Sequence, residues 1–183
     1  MEQLFYKIHY QDYVEGQNAR NLKNHHPERN RTTDDIRTHK KRVRKKTIYQ
    51  IGTKDDYVDP DVLLTIVTEF ITELSDRFGE NFHLLNWSLH LDESTPHIHE
   101  RHVFDCKNAY GEIFPQQEKA LETLGFELPN PEKKAGRFNN RKMVFDATCR
   151  ILLFDICKKH GLELEEEPSY GGREYLEKQD IFE

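Results

Sequence analysis

At 183 residues, 36% hydrophobic and 33% charged, the chain has the length for one domain with a real core and carries a large solvated surface. Its net charge of -6 is uneven: residues 1–54 hold thirteen Lys/Arg against six Asp/Glu, and the remainder holds fourteen against twenty-seven. A basic N-terminal third on an acidic body points to a local polyanion contact and excludes a uniformly basic DNA-coating protein.

In chain order, Leu4 to Tyr10 alternates weakly and is expected to form a strand. Residues 11–32 are polar, rich in Asn and with Gly16, and are expected to be a loop carrying His25-His26-Pro27-Glu28-Arg29. Thr33 is placed to cap a helix with Asp34 and Asp35 in its first turn. That helix is expected to run through Arg37, Lys40, Lys41, Arg42, Arg44, Lys45 and Lys46, docking by Ile36 and Val43 alone. Seven cations without an intervening acid repel one another and favour phosphate contact over an ordinary solvated face.

Thr47 to Ile51 is a short predicted strand. Asp59-Pro60 opens a helix, and Leu63, Ile66, Val67, Phe70, Ile71, Leu74 and Phe78 give it a core-facing stripe ending at Gly79. Residues 82–91 form a predicted central strand with apolar residues in both alternating sets. A turn over Asp92–Pro96 precedes a strand from His97 to about Phe104. Pro115 to Leu124 is a short predicted helix, 126–140 is irregular, and Arg141 to His160 is the last long helix. The acidic 163–167 run and the 170–183 end look peripheral.

Cys106, Cys149 and Cys157 form no CxxC pair, which fits a reducing cytoplasm better than a disulfide scaffold. The N-terminus lacks an apolar leader, and no run approaches the roughly 18 apolar residues of a membrane span. The strand–helix order predicts an α+β fold, an antiparallel central sheet with helices packed mainly on one face.

The densest chemistry lies in His90-Leu91-Asp92-Glu93-Ser94-Thr95-Pro96-His97-Ile98-His99. Strand residues two apart share a face, so His97 and His99 project together about 6.6 Å apart. His90 ends the preceding strand and joins them if the two strands pair. Three imidazoles with open coordination positions are the pattern of a catalytic metal site. Mn2+, Zn2+, Fe2+, Co2+ and Ni2+ all suit such ligands. Asp92 and Glu93 are each available as fourth ligand, imidazole-orienting acceptor or general base, and Asp92 equally as a turn-former. Alternation puts Arg101 on the metal face, where it can clamp a phosphate. Glu100 and His102 fall on the opposite face and need partners or solvent.

The stretch His90-x-Asp92-Glu93-x-Thr95-Pro96-His97-x-His99 resembles the signature of the Mob/Pre plasmid mobilisation and recombination relaxases, members of the HUH (His-hydrophobe-His) endonucleases. The resemblance extends over residues 1–167 as a catalytic domain, with 168–183 expected to be an extension that starts a truncated helical region. It implies nicking and transfer of one DNA strand at an origin of transfer, with Mn2+ or Mg2+ as the metal and a covalent 5′-phosphate intermediate. The implied partners are single-stranded or supercoiled origin DNA and other mobilisation proteins. Some members attack through a histidine in a His-x-Glu-Arg segment, which here is His26-Pro27-Glu28-Arg29. On that pattern His26 is the nucleophile and Glu93 takes or orients its proton, with His25, Tyr6, Tyr10 and Tyr13 as rivals. Arg29, Arg37, Lys40, Lys41, Arg44 and Lys45 are the expected DNA contacts. The family's Asn-Tyr pair is absent, and Glu100-Arg101-His102 replaces the usual apolar residues after His99. The alternatives are a non-catalytic origin-binding protein that retains the metal site, and an unrelated His/carboxylate metalloenzyme.

Overall fold

The computed structural model describes residues 1–39, 45–53 and 55–164. Lys40, Lys41, Arg44 and the 168–183 extension lie outside the described residues. The elements run α1 (Glu2–Lys23), a 3-10 turn (Pro27–Arg29), α2 (Thr33–Thr38), β1 (Lys45–Tyr49), α3 (Pro60–Phe78), β2 (Phe82–His90), β3 (His97–Lys107), β4 (Ile113–Pro115), α4 (Gln117–Thr123) and α5 (Arg141–Lys159). This is the α+β fold expected: an antiparallel sheet ordered β1-β3-β2, with β4 pairing with β3 alone.

The larger helical layer lies on one face. Helix α3 begins with Asp59 accepting from the Asp61 amide and Pro60 in the first turn, then buries Leu63, Ile66, Val67, Phe70, Ile71 and Leu74. Helix α5 starts at Asn140, whose side chain accepts from Met143 N, and adds Phe145, Ile156 and Cys157 to the same core. Ala120 and Leu121 of α4 close it from the end. Each large apolar side chain fully buried here contributes about 1.5–3 kcal/mol. Ile98 and Phe104 of β3 and Phe82 of β2 meet this layer, so it fixes which face of β3 is left for chemistry.

Three N-terminal expectations fail. The 4–10 segment is not a strand and 11–23 is not a loop: together they form α1, which buries Tyr6, Tyr10 and Val14. Positions 6, 10 and 14 recur at helical spacing, and a seven-residue window was too short to separate that period from alternation. Nor does the basic helix continue to Lys46. It stops at Thr38, while Lys45 and Lys46 belong to β1. A capping box between Thr32 and Asp35 starts α2, but Ile36 is its only buried residue. Beyond Thr38, Thr47, Ile48 and Tyr49 favour a strand paired to β3.

Helix α1, packed with α2, covers only part of the second sheet face. Its Tyr6, Tyr10 and Val14 pack with Leu85 and Val103, and Tyr13 meets Phe114. Arg20 makes two hydrogen bonds to Glu112, at 2.8 and 2.7 Å. The part of that face carrying His97 and His99 lies beyond the N-terminal end of α1.

Candidate metal centre

Strand β3 alternates strictly. Ile98, Glu100, His102 and Phe104 face the α3–α5 core, and His97, His99, Arg101, Val103 and Asp105 face the other way. Strand β2 would not deliver His90 to the second set by simple alternation. Its register with β3 shifts between Leu84 and Asn86, so one residue, Leu85, is extra. Before this bulge His83 and Leu85 face the α1 side, and after it Asn86, Ser88 and His90 do. Bulges re-aim side chains in this way beside functional sites. It also explains the apolar residues in both sets of the 82–91 pattern: Phe82 and Leu84 serve the core before the bulge, Leu89 after it.

His90 pairs with His97 and Ser88 with His99 across the strands. One ligand nitrogen from each of His90, His97 and His99 falls within 4.8 Å of the other two. His97 is buried, and its Nδ1–H donates to the Thr95 carbonyl at 2.9 Å, leaving Nε2 with its lone pair outward. A metal-ligating imidazole is oriented by such a bond. His97 Nε2 and His99 Nε2 lie 3.0 Å apart. Two nitrogens each about 2.1 Å from one ion stand about 3.0–3.4 Å apart, so the pair fits a shared cation. Ser88 Oγ lies 3.0 Å from His90 Nε2. The chemistry of the donor set, three imidazoles and no cysteine, fits a borderline divalent ion with open positions.

Glu93 Oε2 stands 3.8 Å from His97 Nε2 on a side chain 65% exposed, and Asp92 Oδ1 is 3.8 Å from His90 Nδ1. Glu93 thus stands beside His97 Nε2 and is open to solvent. Burial pushes the His99 imidazole below its ordinary range, and the positive charge of Lys46 and the neighbouring His90 and His97 push it the same way, against Glu93. That keeps the neutral, ligating form of His99 present to lower pH.

Arg101 shares this face and contacts Glu2 at 3.5 Å. Glu100 and His102, behind the site, are each other's partners: His102 Nδ1–H donates to the Glu100 carboxylate at 2.9 and 3.0 Å, both buried. Nearby, Tyr10 donates to Asp105 at 2.9 Å and His83 Nε2 meets the other Asp105 oxygen at 3.0 Å, tying α1 to β2 and β3.

The structure does not bring His26 to the three histidines. Glu2, at one end of α1, touches Arg101, while Arg20 near the other end touches Glu112. These contacts are about 27 Å apart along the helix at 1.5 Å per residue. His26 follows the far end, where His25 takes φ 60 and Arg31 is fastened to Asn18 by two hydrogen bonds of 2.8 and 2.9 Å. There His26 Nδ1 lies 3.0 Å from Glu28, with Arg29 3.7 Å from the same carboxylate. The rivals fare no better: Tyr6 and Tyr10 are fully buried, burial and Asp105 push the Tyr10 hydroxyl pKa up, and Tyr13 packs on Phe114.

Of the expected DNA contacts, Arg37 bonds Asp34 at 2.8 Å on α2. Lys45 pairs with His102, so it faces away from the histidines, toward a surface cavity of about 630 Å3 lined also by Gln117, Glu118, Asn140 and Lys142. Two participants were missed by sequence reasoning, Ser88 and the Thr95 carbonyl, and Lys46, expected on a basic helix, stands instead on β1 opposite Arg101. Ser88 shares the alternation of His90 and was visible in principle. Lys46 needed the β1–β3 register.

The arrangement defines a candidate three-histidine metal centre on an uncovered sheet face. Comparison with protein-family models, curated proteins and solved structures finds no match to this chain. Among the described residues, no helix is long and apolar enough to cross a membrane.

Proposed function

We propose that this chain is a metal-dependent enzyme of the relaxase type that cuts one strand of DNA at an origin of transfer. The observation that carries the reading is the convergence of His90, His97 and His99 on an open sheet face. They stand in the frame His-x-Asp-Glu-x-Thr-Pro-His-x-His, which resembles the Mob/Pre signature. The three histidines would hold one divalent ion. Mn2+ suits them better than Mg2+, which prefers oxygen ligands and keeps its waters, and Zn2+, Co2+ and Ni2+ are also accommodated. When bound, the ion supplies Lewis-acid polarisation of a phosphate oxygen and of the departing 3′ oxygen.

The chain's own residues do the rest. Thr95 holds His97 in the ligating tautomer. Glu93, exposed beside His97 Nε2, accepts the proton of the attacking group. Arg101, on the same face, anchors the strand beside the centre through a phosphate. Single-stranded origin DNA is the substrate, and cytoplasmic plasmid mobilisation, alongside other mobilisation proteins, is the setting this reading implies.

The separation of His26 from the centre favours a second reading of the attack. In it water is the nucleophile, Glu93 its base, and the product is a hydrolysed strand with no covalent adduct. A random-sequence single-stranded DNA library incubated with the protein and Mn2+, then resolved under denaturing conditions, separates the two. DNA linked to protein, with the attachment mapped by mass spectrometry, supports transfer. Free cut ends without adduct support hydrolysis. Intact DNA in the presence of Mn2+-loaded protein removes both and leaves a non-catalytic binding protein.

A further inference from the structure

We propose that Lys46 and Arg101 form a phosphate-binding site beside the histidines, holding the single-stranded DNA phosphate next to the one the metal centre faces. The choice of ligand rests on the nucleic-acid reading above, whereas the site itself rests on the sheet.

Lys46 of β1 lies directly opposite Arg101 of β3, and Ile48 opposite His99. Directly opposed residues of an antiparallel pair point to one face with Cα atoms about 4.5–5.5 Å apart. Both cations therefore stand on the histidine face, in a row that continues as Asn86 on β2. Like charges set opposite each other across a strand pair destabilise it, and a sheet carries such a pair at a cost unless an anion offsets it. Glu2 offsets Arg101 in part, at 3.5 Å. Among the described residues no acidic group pairs with Lys46, which is exposed. An anion between the two cations completes the charge balance.

The spacing selects what kind of anion. His99 and Arg101 are two residues apart on one strand, so their side chains are separated by about 6.6 Å along it. That is the order of the step between successive phosphates of an extended single strand. A phosphate at His99 thus places its neighbour at Lys46 and Arg101. The surrounding surface suits a polynucleotide: Ile48 is 55% exposed opposite His99, and Asn86 and Ser88 present exposed polar groups on the other side. Lys45, adjacent in sequence, faces away and is the built-in control.

The test is binding, not cleavage. Fluorescence anisotropy of a labelled twelve-residue oligo-dT is followed with the full chain across a salt series, with and without Mn2+. Each phosphate contact removed from a single strand lowers the slope of log affinity against log salt by about 0.7. Lys46→Ala and Arg101→Ala should each show that loss and weaken binding about three- to tenfold at 0.1 M salt. Lys46→Arg should retain the slope, and Lys45→Ala should match the parent protein. Mn2+ titration of every variant reports that the sheet is intact. Unchanged slopes in Lys46→Ala and Arg101→Ala, with Mn2+ binding retained, overturn the site. A chain that never cuts DNA but loses slope in these variants still supports it. One that cuts DNA yet shows no slope change overturns it.

Discussion

At His97 a single backbone acceptor sets the chemistry. The Thr95 carbonyl takes the Nδ1 proton, so Nε2 has only its lone pair to offer at 3.0 Å from His99 Nε2. His97→Ala should therefore abolish Mn2+ binding measured calorimetrically while leaving the circular dichroism spectrum unchanged. His99 carries a second expectation. Burial and then Lys46 hold its imidazole below the usual range, so Lys46→Ala removes one depressing charge. The His99 titration of the metal-free protein, followed by NMR, should then move to higher pH. A downward move would contradict the placement of Lys46 beside it. The thiols are inert by the same physics of burial: that of Cys149 is pushed up to about 12, chiefly by desolvation and then by Asp146. At pH 8 its thiolate is scarce, and reaction with a disulfide reagent should wait for unfolding.

Among the elements, β2 and α1 decide what the histidines can do. The long stripe of α3, the strand at His97 and the last helix are legible in the sequence because each repeats its period over enough residues. The His-x-His pair is legible for the same reason, since a two-residue spacing on a strand fixes a face. The bulge at Leu85 is not, because one extra residue changes no composition, yet it turns His90 toward its partners. Helix α1 was hidden by the brief alternation of Leu4 to Tyr10. With it was hidden the distance of His26 from the centre, which only the length of α1 reveals. The Tyr10–Asp105 bond anchors that helix to the sheet at 2.9 Å in a fully buried setting. Tyr10→Phe leaves the Asp105 carboxylate one donor short and should cost about 1–3 kcal/mol in chemical denaturation. Mn2+ affinity should be unchanged, because Asp105 lies on the part of β3 beyond Arg101.

The whole molecule divides its labour between two sheet faces. One is sealed by α3, α4 and α5 and supplies the stability. Phe70→Ala, at a fully buried position, should cost about 3–5 kcal/mol and lower the melting temperature. The other face is only partly covered by α1, and the uncovered part carries three imidazoles and two cations on a chain of net charge -6. That local positive edge on an acidic body agrees with the charge asymmetry of the sequence, although, among the described residues of the basic run, Arg37 lies on α2 and Lys45 and Lys46 on β1. The central claim is that the uncovered part holds one divalent ion on three histidines. Calorimetric titration of the metal-free protein with Mn2+ tests it most directly. One ion per chain is expected, with binding lost when any of His90, His97 or His99 is replaced by alanine. Absence of binding, or binding indifferent to all three replacements, would contradict it.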